Sequence, residues 1–265
     1  MTKQLLLGFS EGIGDFKYDH GYIPENNEEL IYKLISTGGR HAPYICRGKI
    51  GVWNLCYYWE KIGLLDPWNR SIEYVYKKNN KGGESFWLYS WGPNKRDEKG
   101  EGDDISTFNL QKVLITLANH HVDEARKDYD EYGSRFDSVM KEAQQLLLMG
   151  EKTGIEILVE ELAFILNDSA KTEISKSYLE NIIKLINQYV LKDFTGYDQK
   201  QVKLIIMWHQ QNYDSIYWDR KQGYFVEDHE AKAAGIPTKE YRSKSGNPPQ
   251  EDRKTHPWPK QDKPE

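Results

Sequence analysis

The sequence predicts an α+β chain: a helix, a β-hairpin, an all-α run of amphipathic helices and a disordered tail. Three observations carry that expectation. Leu5, Leu6, Phe9, Ile13 and Phe16 recur at the 3–4 spacing of a helix stripe. Ile72-Glu73-Tyr74-Val75-Tyr76 and Phe86-Trp87-Leu88-Tyr89-Ser90 are rich in β-branched and aromatic residues. Residues 109–235 contain no proline and carry several stripes of helical period.

Each element has a local reason. Gly8, Gly12 and Gly14 weaken the first helix by about 1 kcal/mol each relative to Ala, and Gly21 and Pro24 end it. Asn26 or Asn27 caps a second helix through Leu30, Ile31 and Leu34, with Glu28 and Glu29 in its first turn. Gly38-Gly39 closes it. The two β-rich runs form a hairpin with a nine-residue connection, 77–85, holding Asn79-Asn80 and Gly82-Gly83. Beyond it, stripes within 110–122, 136–147, 155–165, 179–190 and 202–213 predict four or five helices. Antiparallel packing is the natural way to bury them.

Composition divides the chain into three domains. Residues 1–108 are rich in Gly and Tyr and hold five of the eight Trp. Residues 109–235 are the helical domain. Residues 236–265 hold six of the ten Pro and few large apolar groups, and read as disordered. The whole chain of 265 residues is 38% hydrophobic and 13% aromatic, enough for a core. A net charge of −5 argues against a dedicated nucleic-acid binder, which would show a basic stripe. No apolar run approaches the roughly 18 residues of a membrane helix. Leu5-Leu6-Leu7 meets Gly8, and no secretory signal follows.

The chemistry concentrates after the second strand. Asp97 to Asp104 holds five carboxylates and one Lys in eight residues. Like charges this close repel, and a cation would relieve them. Oxygen-only donors without His or Cys favour Ca²⁺ over Zn²⁺. Gly100 and Gly102 would let the backbone turn around the ion. A solvated acidic turn explains the same composition, since the EF-hand spacing is absent.

Other candidates are weaker. His120 and Glu124 share a helix face at a spacing a metal could use, beside His121 and Asp123, but no second such pair follows. His209 is a lone His on an apolar stripe. Cys46 and Cys56 would form a disulfide in an exported protein and stay thiols in the cytosol. His41 near Cys46 does not by itself make a nucleophile and base, and no Ser elbow, P-loop or dinucleotide fingerprint appears. The chain therefore reads as not an enzyme. Trp53, Tyr57, Tyr58, Trp59 and Trp68 suit core packing or a binding patch. Pro257-Trp258-Pro259 in the tail could serve as a linear docking motif.

Three stretches carry a resemblance. They are Phe16-Lys17-Tyr18-Asp19-His20-Gly21-Tyr22-Ile23-Pro24, then Leu65-Asp66-Pro67-Trp68 followed by Ile72-Glu73-Tyr74, then Leu88-Tyr89-Ser90-Trp91-Gly92-Pro93-Asn94 through Asp103-Asp104-Ile105. In this order residues 1–108 resemble the globular part of the major pseudopilin (the G subunit) of type II secretion systems. The resemblance implies an N-terminal helix packed on a small antiparallel sheet with a calcium loop. It implies a structural role in protein transport, with other protein subunits, copies of the chain among them, as partners. It assigns Ca²⁺ to backbone oxygens of Leu88 and Ser90 and side chains of Asn94, Asp103 and Asp104. Asn94 stands where the family usually has Asp, and Asp97 or Glu98 would compensate. Asn69 stands where the family has Gly, the segment 46–63 is longer, and residues 109–265 have no counterpart. With an upstream leader and apolar helix, the expected home is the periplasm; for the chain as written it is the cytoplasm. The alternative is a soluble cytoplasmic protein-interaction module, regulatory or toxin-neutralising, that reuses the fold. A third reading, a metal-dependent enzyme in the helical half, would bind its metal through His120.

Overall fold

The computed structural model describes residues 2–35, 65–99, 103–127, 132–167, 174–236 and 238. The chain opens with α1, Thr2–His20. Leu6, Phe9, Ile13 and Phe16 form its buried stripe at the expected spacing. The Gly21 N–H donates to the Lys17 carbonyl as the helix ends. In α2, Asn27–Ile35, Asn26 is the N-cap. Its Oδ1 accepts from the Glu29 N–H at 2.9 Å, while the Glu29 carboxylate accepts from the Glu25 N–H at 3.0 Å. Leu30 and Leu34 are fully buried.

A three-stranded antiparallel sheet follows, ordered β1-β2-β3. Its strands are β1 Glu73–Lys78, β2 Glu84–Ser90 and β3 Ile105–Ser106. Tyr74 pairs with Leu88, and Lys78 with Glu84. The hairpin connection is therefore 79–83, shorter than the nine residues expected. The Asn79 side chain explains the tightening. Its Oδ1 accepts from the Lys81 and Gly83 N–H groups at 2.9 and 2.8 Å, so the turn closes on one residue.

After a 3₁₀ turn, Thr107–Leu110, come five helices. They are α3 Gln111–Lys127, α4 Tyr132–Leu148, α5 Thr153–Asn167, α6 Ile174–Tyr189 and α7 Gln199–Asn212. On α4 and α5 the stripes read from the sequence form the buried faces, with Val139, Ala143, Leu146 and Leu147 on α4 and Ile155, Leu158, Val159 and Leu162 on α5, whereas Val113 of the α3 stripe is exposed. Between them Gly150 stands at φ 71°. A Cβ there would lie 2.6 Å from the Trp218 ring, so the turn needs glycine both for its backbone and for space.

The region 109–235 is not all-α, contrary to the sequence reading. A second hairpin, β4 Ile216–Asp219 and β5 Tyr224–Glu227, follows α7, with a short α8, His229–Ala234. Its strands have four residues each, too short for alternation to stand out from a helix pattern. Long-range burial holds them: Ile216, Trp218 and Phe225 are core residues, and Val190 bridges Phe225 in parallel.

One hydrophobic core runs through α1, α2, the first sheet and the helices. Helix α4 touches both α1 and β2. Polar bonds tie the same elements together. The Tyr189 hydroxyl donates to the Glu84 carbonyl at 2.6 Å. The Asn79 amide donates to the carbonyls of Gln188 and Gly223, each at 2.7 Å. Lys81 Nζ reaches the carbonyls of Val190 and Leu191 just past the end of α6. No helix among the described residues is long and apolar enough to cross a membrane. Cys46, Cys56, Trp53, Trp59, the Gly38-Gly39 stop and Pro257-Trp258-Pro259 lie outside the described residues.

Candidate metal centre

The acidic loop leaves β2 at Ser90 and returns at β3. Its base is pinned by Asp66, which is 6% exposed. The Ser90 hydroxyl donates to Asp66 Oδ2 at 2.5 Å. Asp66 Oδ1 accepts from the Trp68 and Arg70 N–H groups, each at 2.9 Å. The Asp66-Pro67-Trp68 motif is thus an Asx-type turn that also clamps the last residue of β2. Gly92, at φ 64°, lets the outgoing and returning chains meet. A Cβ there would sit 2.4 Å from the Asp103 carbonyl oxygen, so a side chain is excluded.

Inside the loop the carboxylates accept from backbone amides. The Asn94 N–H donates to Asp103 Oδ2 at 3.1 Å. The Asp103 N–H donates to Glu98 Oε2 at 2.8 Å, and the Glu98 N–H to Asp104 Oδ2 at 3.0 Å. Lys99 N–H donates to Asp97 Oδ1 at 2.9 Å. This ring of bonds gathers three carboxylates. Oxygens of Glu98, Asp103 and Asp104 all lie within 4.8 Å of one another. Asp104 is 1% exposed, whereas Asp103 is exposed.

The sequence-predicted residues fall into two groups. Asp103 and Asp104 sit in the cluster, and Glu98 joins them. Asn94 stands beside it, its amide donating to Asp103, but its own oxygen accepts from the Arg96 N–H at 2.6 Å. Leu88 and Ser90 are buried in β2; Leu88 pairs with Tyr74 and Ser90 with Ile105. Asp97 turns to the Lys99 amide instead. The donors are oxygens only, and the chain leaves and re-enters the sheet around them, which fits a hard divalent cation. Glu98, Asp103 and Asp104 would hold it and have their mutual repulsion relieved.

The negative field of the loop reaches its neighbours. Burial pushes the Glu73 carboxyl up, and Asp97 adds to the shift. Burial likewise pushes the Tyr89 hydroxyl up to about 12, with Asp97 and Glu73 contributing.

The other candidates separate clearly. His120 and Glu124 are exposed. Glu124 pairs with Lys127 at 2.7 Å, whose bond and charge hold its carboxyl below the usual range. The neighbouring His121 faces Glu142 at 3.0 Å. Among the described residues, Glu98, Asp103 and Asp104 are the only group of three His, Cys, Asp or Glu ligands drawn together. His209 is 3% exposed, in the α7 core face. The sequence marks Asp66 within the Asp66-Pro67-Trp68 stretch but not its bond to Ser90, and it does not mark the Lys17–Glu84 pair, since two residues 67 apart leave no local pattern. Comparison with family models, with curated proteins and with solved structures finds no match to this chain.

Proposed function

We propose that this chain is a non-enzymatic, calcium-stabilised, pseudopilin-like assembly subunit whose helical region serves protein interaction. The observation that carries the reading is the convergence of Glu98, Asp103 and Asp104 at the β2–β3 loop. It stands on a sheet that contacts an N-terminal helix, in the order the sequence resemblance implies. Ca²⁺ would take the three carboxylates, with Asn94 and the backbone of Leu88 and Ser90 as the further oxygens the resemblance assigns.

One observation favours the second reading, a soluble interaction module that keeps the fold without the secretion role. Helix α1 is covered by α4 as well as by the sheet, so less of it is open to a helix of a neighbouring subunit.

Thermal unfolding with Ca²⁺ and with a chelator tests the metal site, on the natural chain and on Asp103→Asn/Asp104→Asn. A ligand bound only by the folded state stabilises it by about 2.7 kcal/mol at a hundredfold excess over its dissociation constant. The expected result is a higher midpoint with Ca²⁺ that the double substitution abolishes. An unchanged midpoint would reduce the loop to a hydrogen-bonded acidic turn and remove the calcium reading.

A further inference from the structure

A groove of about 350 Å³ opens between α1, α3 and α4 and shares no residue with the acidic cluster. That volume falls at the small end of ligand sites. Its floor is apolar: Leu114, Ala118 and Leu146 are each at most 3% exposed. Gln145 lines it from α4, 8% exposed. The side chain fits because position 14 on α1 is glycine; a Cβ there would stand 3.1–3.2 Å from Cγ, Cδ and Oε1 of Gln145.

The rim is acidic. Glu11 and Asp15 come from α1 and Glu142 from α4, facing one fixed cation, Lys141. Lys141 is already committed to Asp15 at 2.8 Å. Glu142 meets the His121 ring at 3.0 Å. Burial pushes the Glu142 carboxyl up, and the His121 contact offsets that in part. An anion would find no uncommitted positive charge here. A metal ion is disfavoured too, because no three ligand atoms of this rim converge as those of the acidic loop do.

We propose that the groove binds an organic cation, a primary ammonium on an aliphatic stem. The stem lies over Leu114, Ala118 and Leu146, the ammonium among Glu11, Asp15 and Glu142, and the Gln145 carbonyl accepts one of its hydrogens. A free aliphatic amine and a lysine side chain share this chemistry.

The test is calorimetry and NMR titration of the full chain in chelator and low salt, so that calcium plays no part. The probes are pentylammonium, 1,5-diaminopentane, Nα-acetyl-lysine methylamide and methylammonium. Pentylammonium should bind about tenfold or more tightly than methylammonium, and should move the Gln145 side-chain amide resonances. Glu11→Gln, at an exposed position, and Glu142→Gln should each weaken it several-fold without changing the melting midpoint. Tighter binding of the lysine derivative than of either free amine assigns the groove to a protein lysine; the reverse assigns it to a free amine. Equal binding of methylammonium and pentylammonium, unchanged affinity in both variants, or no movement at Gln145 at about 10 mM probe overturns the proposal.

Discussion

Glu84, 5% exposed, accepts from Lys17 Nζ at 2.6 Å, from the Ile23 N–H at 3.2 Å and from the Tyr76 hydroxyl at 3.2 Å. A buried pair is tolerable because the remaining lone pairs are met, and Lys17 also donates to the Gly21 carbonyl. Removing one partner strands the other. Lys17→Met should cost about 3–5 kcal/mol in a urea titration, and Lys17→Met/Glu84→Gln should recover much of it. Equal losses in the single and double variants would show that packing, not charge, sets the cost. The tyrosines make a second prediction. Burial pushes the hydroxyls of Tyr74, Tyr189 and Tyr213 above the ordinary tyrosine range, and nearby carboxylates add to it. Above about pH 10 the unfolded chain releases these protons while the folded chain keeps them. Stability should therefore be undiminished by them below that pH and fall as pH rises beyond it. An absorbance titration should show these phenols ionising only as the fold is lost. Neither Glu84 nor these tyrosines is marked by its sequence neighbours, because what shifts or pairs them comes from distant segments.

At the scale of elements, the first hairpin was legible and its turn was not. Alternation in β1 and β2 is a local property, but Lys77, Lys78, Glu84 and Ser85 read as loop residues. They are strand residues because Asn79 closes the turn and, with Lys81, fastens it to the end of α6. Asn79→Ala should destabilise by about 2 kcal/mol or more, since it leaves the buried turn amides and the carbonyls of Gln188 and Gly223 unpaired. Asn79→Asp keeps the acceptor for Lys81 and Gly83 but loses both donors. It should be nearly as damaging; if it is neutral, the turn matters and the link to α6 does not. The β4–β5 hairpin escaped for a related reason. Tyr217-Trp218 and Tyr224-Phe225 around Gly223 were a signal, but four-residue strands gain stability only against a neighbour. Here Trp218 lies over Gly150, and Gly150→Ala should cost more than about 1 kcal/mol from its positive φ and the ring clash, read from the denaturation midpoint.

For the whole molecule, the continuous core across α1, the first sheet and α4 predicts one cooperative unfolding transition, with calorimetric and van't Hoff enthalpies in agreement. A fragment ending at residue 108 should lack a cooperative melt, because the cover that α4 gives α1 is gone. Two resolved transitions would contradict this. The sequence by itself determined the helix stripes, an Asn cap for α2, the β character of 72–76 and 86–90, and the acidity of the loop. These follow from periodicity, capping chemistry and charge density within a few residues. Only the tertiary structure decided which carboxylates meet, that Asp66 clamps Ser90, that 216–227 is a hairpin, and that α4 and α1 enclose a groove. The meeting of the carboxylates depends on backbone bonds within the folded loop, and the clamp, the second hairpin and the groove depend on residues far apart in the chain, where burial changes what side chains cost and where they pair.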